Sequence, residues 1–304
     1  MINVFISIIF IYAFISLGYL SKVFFKEDIN TKTLTLLSVY FFQPFVALWG
    51  FGTASLHAEH ISVPFLYIFI ILIVLLPSIL ISKKLFSDKK EQVIFSITGF
   101  VGNTGNIGIP LGIALFGQES VIYTTLINLA NVFVVYMLGV YIYSRGSFDV
   151  KTSLLNIIKI PIIPASIIAI ILNVNSIEYG KQIEEFLKMG AYSGIVMQLF
   201  LLGAFLQGVK LTKINLRLLL GVFSQKFILL PLLSIVILNL TPLSSFAKAV
   251  IFMEMMMPLA ISNINLASLY DCRPKDITAL ILLSTLLFLP LLFVLNTIIN
   301  MLYL

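Results

Sequence analysis

Cysteine, histidine and charge are all scarce in this 304-residue chain. The single cysteine, Cys272, excludes an internal disulfide framework. The two histidines, His57 and His60, share one short loop, and neither falls inside an apolar run. That leaves almost no material for a metal centre or for a Cys–His or Ser–His catalytic pair. No metal, no resident cofactor and no enzymatic activity are expected. Charged residues make up 11% of the chain, where a soluble domain carries about 25%. Hydrophobic residues make up 60%, and the mean hydropathy is +1.10. These values describe an all-α polytopic membrane protein, with the lipid bilayer as its first partner. The net charge of +6 does not signal nucleic acid. The basic residues sit in short loops, where they set membrane orientation.

A hydrocarbon core of about 30 Å asks for roughly 20 apolar residues per helix. Ten such segments are expected: 2–20, 33–51, 62–81, 92–116, 120–143, 157–172, 189–206, 218–238, 246–270 and 276–301. Residues 1–20 lack a preceding basic residue and a following small-residue cleavage site, so they read as a retained span rather than a signal peptide. Of the 19 Lys and Arg residues, 14 lie in loops 1–2, 3–4, 5–6, 7–8 and 9–10, and Lys159 lies near the start of the sixth segment. That bias places these loops in the cytoplasm and both termini outside a cell membrane. The loop between the sixth and seventh segments, 173–188, carries Glu178, Glu184 and Glu185 and reads as an outer surface helix.

The fourth segment is interrupted by Gly102-Asn103-Thr104-Gly105-Asn106-Ile107-Gly108-Ile109-Pro110. Glycine and proline at this density break a helix. A broken backbone at membrane depth persists only where protein or a water-filled cavity surrounds it. The ninth segment is interrupted at Met257-Pro258. A constant offset of about 154 residues relates the two halves of the chain: Leu75-Leu76-Pro77 matches Leu229-Leu230-Pro231, and the fourth segment falls on the ninth. Two five-span repeats, 1–152 and 153–304, are therefore expected with opposite orientation. Pro77 and Pro231 read as ordinary kinks. Interrupted segments at matching positions of inverted halves point to a transporter binding site.

In such an arrangement the second halves of the fourth and ninth segments begin near the midplane from opposite sides. Each helix N-terminus carries roughly half a positive charge, so a small organic anion is the natural guest. The candidate substrate ligands are Asn103, Thr104, Asn106 and Pro110 in the first interruption, and Pro258, Ser262 and Asn263 in the second, with Asn265 following. Gln43 and Gln198 are weaker candidates on the second and seventh segments. For the asparagines, capping of frayed backbone stands beside direct ligation. Asn128 and Asn131 share a face of the fifth segment and are expected to pack on the fourth. Lys226 and Glu254 lie inside the eighth and ninth segments. An intramembrane charge costs about 2.5–3.5 kcal/mol even on lenient scales. Two readings stand for this pair: a structural ion pair, or Glu254 coupling to H+ or Na+ with Lys226 attracting the anion. A cation/proton antiporter or a sodium-coupled symporter is the alternative, and the fifth segment, with Asn128 and Asn131, carries no carboxylate to serve proton exchange.

Asn103-Thr104-Gly105-Asn106-Ile107-Gly108-Ile109-Pro110-Leu111 resembles the fourth-span motif N-T-x-x-x-G-I-P-L of the auxin efflux carrier family. Met257-Pro258 followed by Asn263 is similar to that family's second interruption. The resemblance implies a ten-helix inverted repeat with crossed broken helices 4 and 9, shared with bile acid:sodium symporters and sodium/proton antiporters. It implies elevator-like transport, with a scaffold of spans 1, 2, 6 and 7 and a mobile part of spans 3–5 and 8–10. It also implies homodimers and organic anions, dicarboxylates or auxin-like acids, as substrates. Glu254 resembles the cation-ligating glutamate of the bile acid symporters. The loop between spans five and six is short, so the phosphorylation control of long plant carriers is not expected.

Overall fold

A computed structural model describes residues 2–52, 58–117, 119–146, 152, 155, 159–177, 179–207 and 215–303. His57 and Glu178 lie outside the described residues. The named elements are all helical, and the one extended pairing among the described residues is an isolated bridge. In chain order the helices are α1 (Ile2–Phe25), α2 (Thr31–Gly50), α3 (His60–Leu85), α4 (Lys89–Ile97), α5 (Thr104–Phe116) and α6 (Ser120–Ser144). They continue as α7 (Ile162–Val174), α8 (Lys181–Leu206), α9 (Leu216–Asn239), α10 (Ser245–Met255), α11 (Ser262–Leu269) and α12 (Pro274–Leu302).

Six of these, α2, α3, α6, α8, α9 and α12, are long and apolar enough to cross a membrane. The other expected segments take different forms. The first lies within the 24-residue α1. The fourth divides into α4 and α5, and the ninth into α10 and α11. The sixth is the 13-residue α7, shorter than its apolar run. The expected surface helix before the seventh segment is not separate. Glu184 and Glu185 belong to the first turns of α8, which starts at Lys181.

Helix packing forms two groups. In one, α1 packs along α8, and α2 packs on α7 and α8. The α1–α8 contact is backbone to backbone. A Cβ on Gly18 would strike the Phe200 carbonyl, and one on Gly203 would strike the Ile15 carbonyl. In lipid no hydrophobic effect drives helices together, so close approach at small residues supplies the packing energy. Phe42 and Phe45 of α2 seat over Gly194 and Gly190 of α8 in the same way. In the second group α3 packs on α4 and α6, α5 on α6, α10 on α6 and α9, and α11 on α12. The groups meet where α2 touches α6 and α11, α1 touches α5, α7 touches α6 and α8 touches α12.

Arg273 ties together one end of the second group. Its guanidinium lies 2.9 Å from Asp88, 3.0 Å from Glu91 and 3.6 Å from Asp276. Asp88 also caps α4 by accepting from the Lys90 and Glu91 N–H groups. Burial alone would push the Asp88 carboxyl up, but those N–H donors and Arg273 hold it below the usual carboxylate value. Arg273→Ala is expected to lower the melting temperature modestly, and more at low than at high ionic strength, because these charges are partly screened. Thermal unfolding in detergent at two salt concentrations checks this.

Candidate functional site

The two interruptions meet in space. After Ile97 the chain makes a 3-10 turn, Thr98–Phe100, then runs through Val101, Gly102 and Asn103 before α5 begins. After Met255 it leaves the helix until Ser262. Asn103 N–H donates to the Pro258 carbonyl at 2.7 Å, and Ala260 N–H donates to the Val101 carbonyl at 2.9 Å. Gly102 and Leu259 form the antiparallel bridge between them. Leu259 N–H donates to Ser284 Oγ at 3.2 Å. Several backbone groups freed by each break are thus paired by the other break or by a neighbouring helix, as a buried backbone requires.

The break in the fourth segment is shorter than its composition suggests. Gly105, Asn106 and Gly108 are not in it. They lie in the wide π turn Thr104–Gly108 that opens α5. Pro110 follows at the start of the α-helical part, where a missing N–H is tolerated. Its side chain lies outside what is described.

Helix α6 holds the junction from one side. Asn131 Nδ2 donates to the Gly102 carbonyl at 2.8 Å and to Thr104 Oγ1 at 3.1 Å. Thr104 Oγ1 donates to Asn128 Oδ1 at 2.9 Å, and Tyr67 OH of α3 donates to Asn131 Oδ1 at 3.2 Å. Further along α6, Tyr143 OH lies 2.9 Å from Thr98 Oγ1 and donates to Asn263 Oδ1 at 3.0 Å. Asn263 Nδ2 in turn donates to the Ala260 carbonyl at 3.0 Å. One helix therefore fastens the break on each side.

Above the junction lies a cavity of about 80 Å³. The starts of α5 and α11 both line it, through Asn103–Asn106 and Ile261–Ser262. Gln43 of α2 and Gln198 of α8 close it from the other helix group. Its polar groups divide into two kinds. Thr104, Asn131 and Asn128 are committed to holding backbone or one another. The side chains of Asn103 and Asn106 make no hydrogen bond among the described residues, and the buried Gln43 Nε2 has no partner there either.

Of the residues singled out in the sequence, Asn103, Thr104, Asn106, Ser262, Gln43 and Gln198 come together around this space. Asn263 and Pro258 do not line it. The Asn263 amide is used on Tyr143 and Ala260, and Pro258 contributes its carbonyl to Asn103. Asn265 points elsewhere, with its Nδ2 at 3.5 Å from Ser38 Oγ. Lys226 and Glu254 reach the junction from outside the cavity. A Cβ on Gly102 would lie 2.9 Å from Lys226 Nζ, and one on Gly108 would collide with the Glu254 carboxylate. The direct ion pair considered for them is absent: no approach within 4.0 Å joins the two. Gly102 and Gly108 fix the two groups at separate points of the junction. The supporting tyrosines Tyr67 and Tyr143 carried no sequence signal, since a tyrosine in an apolar span reads as core.

The matching family model, described as a membrane transport protein, covers residues 3–296. An uncharacterized transporter of Methanocaldococcus jannaschii is 27% identical over 282 residues, spanning 88% of this chain and 90% of that protein. With nearly the whole chain matched, this protein belongs to the membrane transport family of the auxin efflux carriers.

Proposed function

We propose that this protein is a secondary carrier for a small organic anion, an auxin-like acid or a dicarboxylate, in the cell membrane with both termini outside. The observation that supports it best is the set of donors facing one cavity. Two helix N-termini and the Asn103 and Asn106 amides border one cavity, and the buried Gln43 Nε2 beside it has no partner among the described residues. A carboxylate accepts several hydrogen bonds at once and is favoured at a helix N-terminus.

The elevator reading draws on the two packing groups. Helices α1, α2, α7 and α8 would form the static scaffold, and α3–α6 with α9–α12 the moving part. The substrate would travel with the junction past Gln43 and Gln198. At about 80 Å³ the cavity admits water and must widen to admit an auxin-like acid. In the ten-span inverted repeat, α4–α5 and α10–α11 are the crossed broken helices, and the bridge at Gly102 and Leu259 is their point of contact. A homodimer is the expected assembly. Antiport of cations for protons is the weaker reading, because α6 carries no carboxylate beside the junction.

Asn103→Ala and Asn106→Ala test the assignment. Each is expected to abolish uptake of radiolabelled malonate or indole-3-acetate into proteoliposomes. Neither amide holds another group, so the melting temperature should stay near that of the parent. Undiminished uptake by both variants would remove the site from this cavity.

A further inference from the structure

Lys226 and Glu254 are both buried, with 1% and 0% exposure, and both abut the junction rather than each other. Neither Glu254 oxygen has a hydrogen-bond partner among the described residues. A carboxylate so placed needs a proton or a nearby cation. The interior of the surrounding helices offers few groups to serve. Val93–Phe116, α6, α11 and α12 beyond Asp276 carry no Asp, Glu, Lys, Arg or His. Tyr67 of α3 is the titratable group that faces Glu254 from that helix, and it donates to Asn131. The facing charge is Lys226 on α9, which Glu254 feels through space.

The path of α9 explains how a lysine reaches this point. A π turn, Gln225–Leu229, interrupts the helix and adds a residue to one turn. Gln225 packs over Gly99, and Lys226 Nζ comes up against Gly102 beside the Met257 carbonyl. Gly99 and Gly102 permit the approach, since a Cβ on either would overlap these side chains. The ammonium thus lies past the C-terminal end of α4, at Gly102, which the Met257 carbonyl also borders. Helix C-termini favour positive charge, and free carbonyls are what a bound metal cation would use.

We propose that Lys226 is a built-in cation of the junction, taking the place of the metal ion that Glu254 and these carbonyls would otherwise require. The pair sums to zero charge before the anion arrives, so the protein works without sodium. This rests on the carrier reading for its meaning, but its test does not depend on the anion.

The experiment compares melting temperatures of the purified full chain in sodium chloride and choline chloride at equal ionic strength. The parent is expected to melt at the same temperature in both. Lys226→Met leaves Glu254 without its cation and opens space beside Met257. It is expected to be destabilised and to regain about 3 °C or more in sodium. Lys226→Met combined with Glu254→Gln removes both charges and should recover stability while losing the sodium response. If the single variant does not fold, the double variant and Lys226→Arg, which keeps the charge, carry the comparison. A parent stabilised by sodium over choline would overturn the proposal, as would a double variant no more stable than Lys226→Met. A shift with malonate is a separate readout. Its absence with every carboxylate tried would count against the carrier reading and leave the sodium comparison standing.

Discussion

Asn131→Leu will unfasten the junction and stop transport. The side chain is buried, both Nδ2 hydrogens are in use and Oδ1 accepts one bond. Its Nδ2 satisfies the Gly102 carbonyl and the Thr104 hydroxyl, and its Oδ1 accepts from Tyr67. Leucine keeps the volume and removes all three bonds. Each buried polar group left unsatisfied costs about 1–3 kcal/mol, less where water in the adjoining cavity can replace the lost bond. A loss of about 3–5 kcal/mol is expected from the three together. Tyr67→Phe removes one donor only and should cost about 1 kcal/mol. Thermal unfolding of the two variants with proteoliposome uptake separates them. Parent-like stability and flux in Asn131→Leu would show that the junction holds without this helix.

Gly203→Leu is expected to prevent assembly altogether. The Cβ would fall on the Ile15 carbonyl, and the next nearest atom is the Tyr19 backbone nitrogen. Backbone cannot rotate away as a side chain tip can, so α1 and α8 must part along their shared length. Overpacking of a well-fitted contact costs about 1–3 kcal/mol when side chains can yield. Here none can, and the loss should exceed that range. The separation also strips α2, which packs on α8. A monodisperse peak on size-exclusion chromatography should disappear. Gly180→Ala is the matched control: nothing lies within 4 Å of the added carbon, and it should behave as the parent. A monodisperse, active Gly203→Leu protein would mean that the two helices do not touch as described.

The junction of the two interruptions was legible in the sequence to the extent that it depends on local backbone chemistry. Gly102, Asn103 and Met257-Pro258 mark positions that cannot stay helical, and the offset of about 154 residues brought them into correspondence. The structure adds that they hydrogen-bond to each other. The extent of the first break was overestimated. Composition alone cannot distinguish glycines that break a helix from glycines that let a neighbour come close. Gly105 and Gly108 are of the second kind, against Asn128 and Glu254.

Composition and hydropathy by themselves determined the class of this protein. Apolar segments interrupted by short basic loops are a membrane protein, because runs of about 20 apolar residues match the hydrocarbon core and are unfavourable in water. The sequence also marked the asparagines and the two buried charges as the residues worth following, since polar groups at membrane depth are costly. Tertiary structure alone decided what each one does. Asn131 and Asn263 hold backbone and Thr104 is bonded to Asn131 and Asn128, while the Asn103 and Asn106 amides border a common cavity without a partner among the described residues. That division depends on which acceptor each side chain meets across the packed helices. Lys226 and Glu254 were neighbours in sequence order and an obvious pair. The close approach of α9 to Gly102 and of α10 to Gly108 separates them, for a glycine's missing side chain is visible in a sequence but the group that fills its place is not.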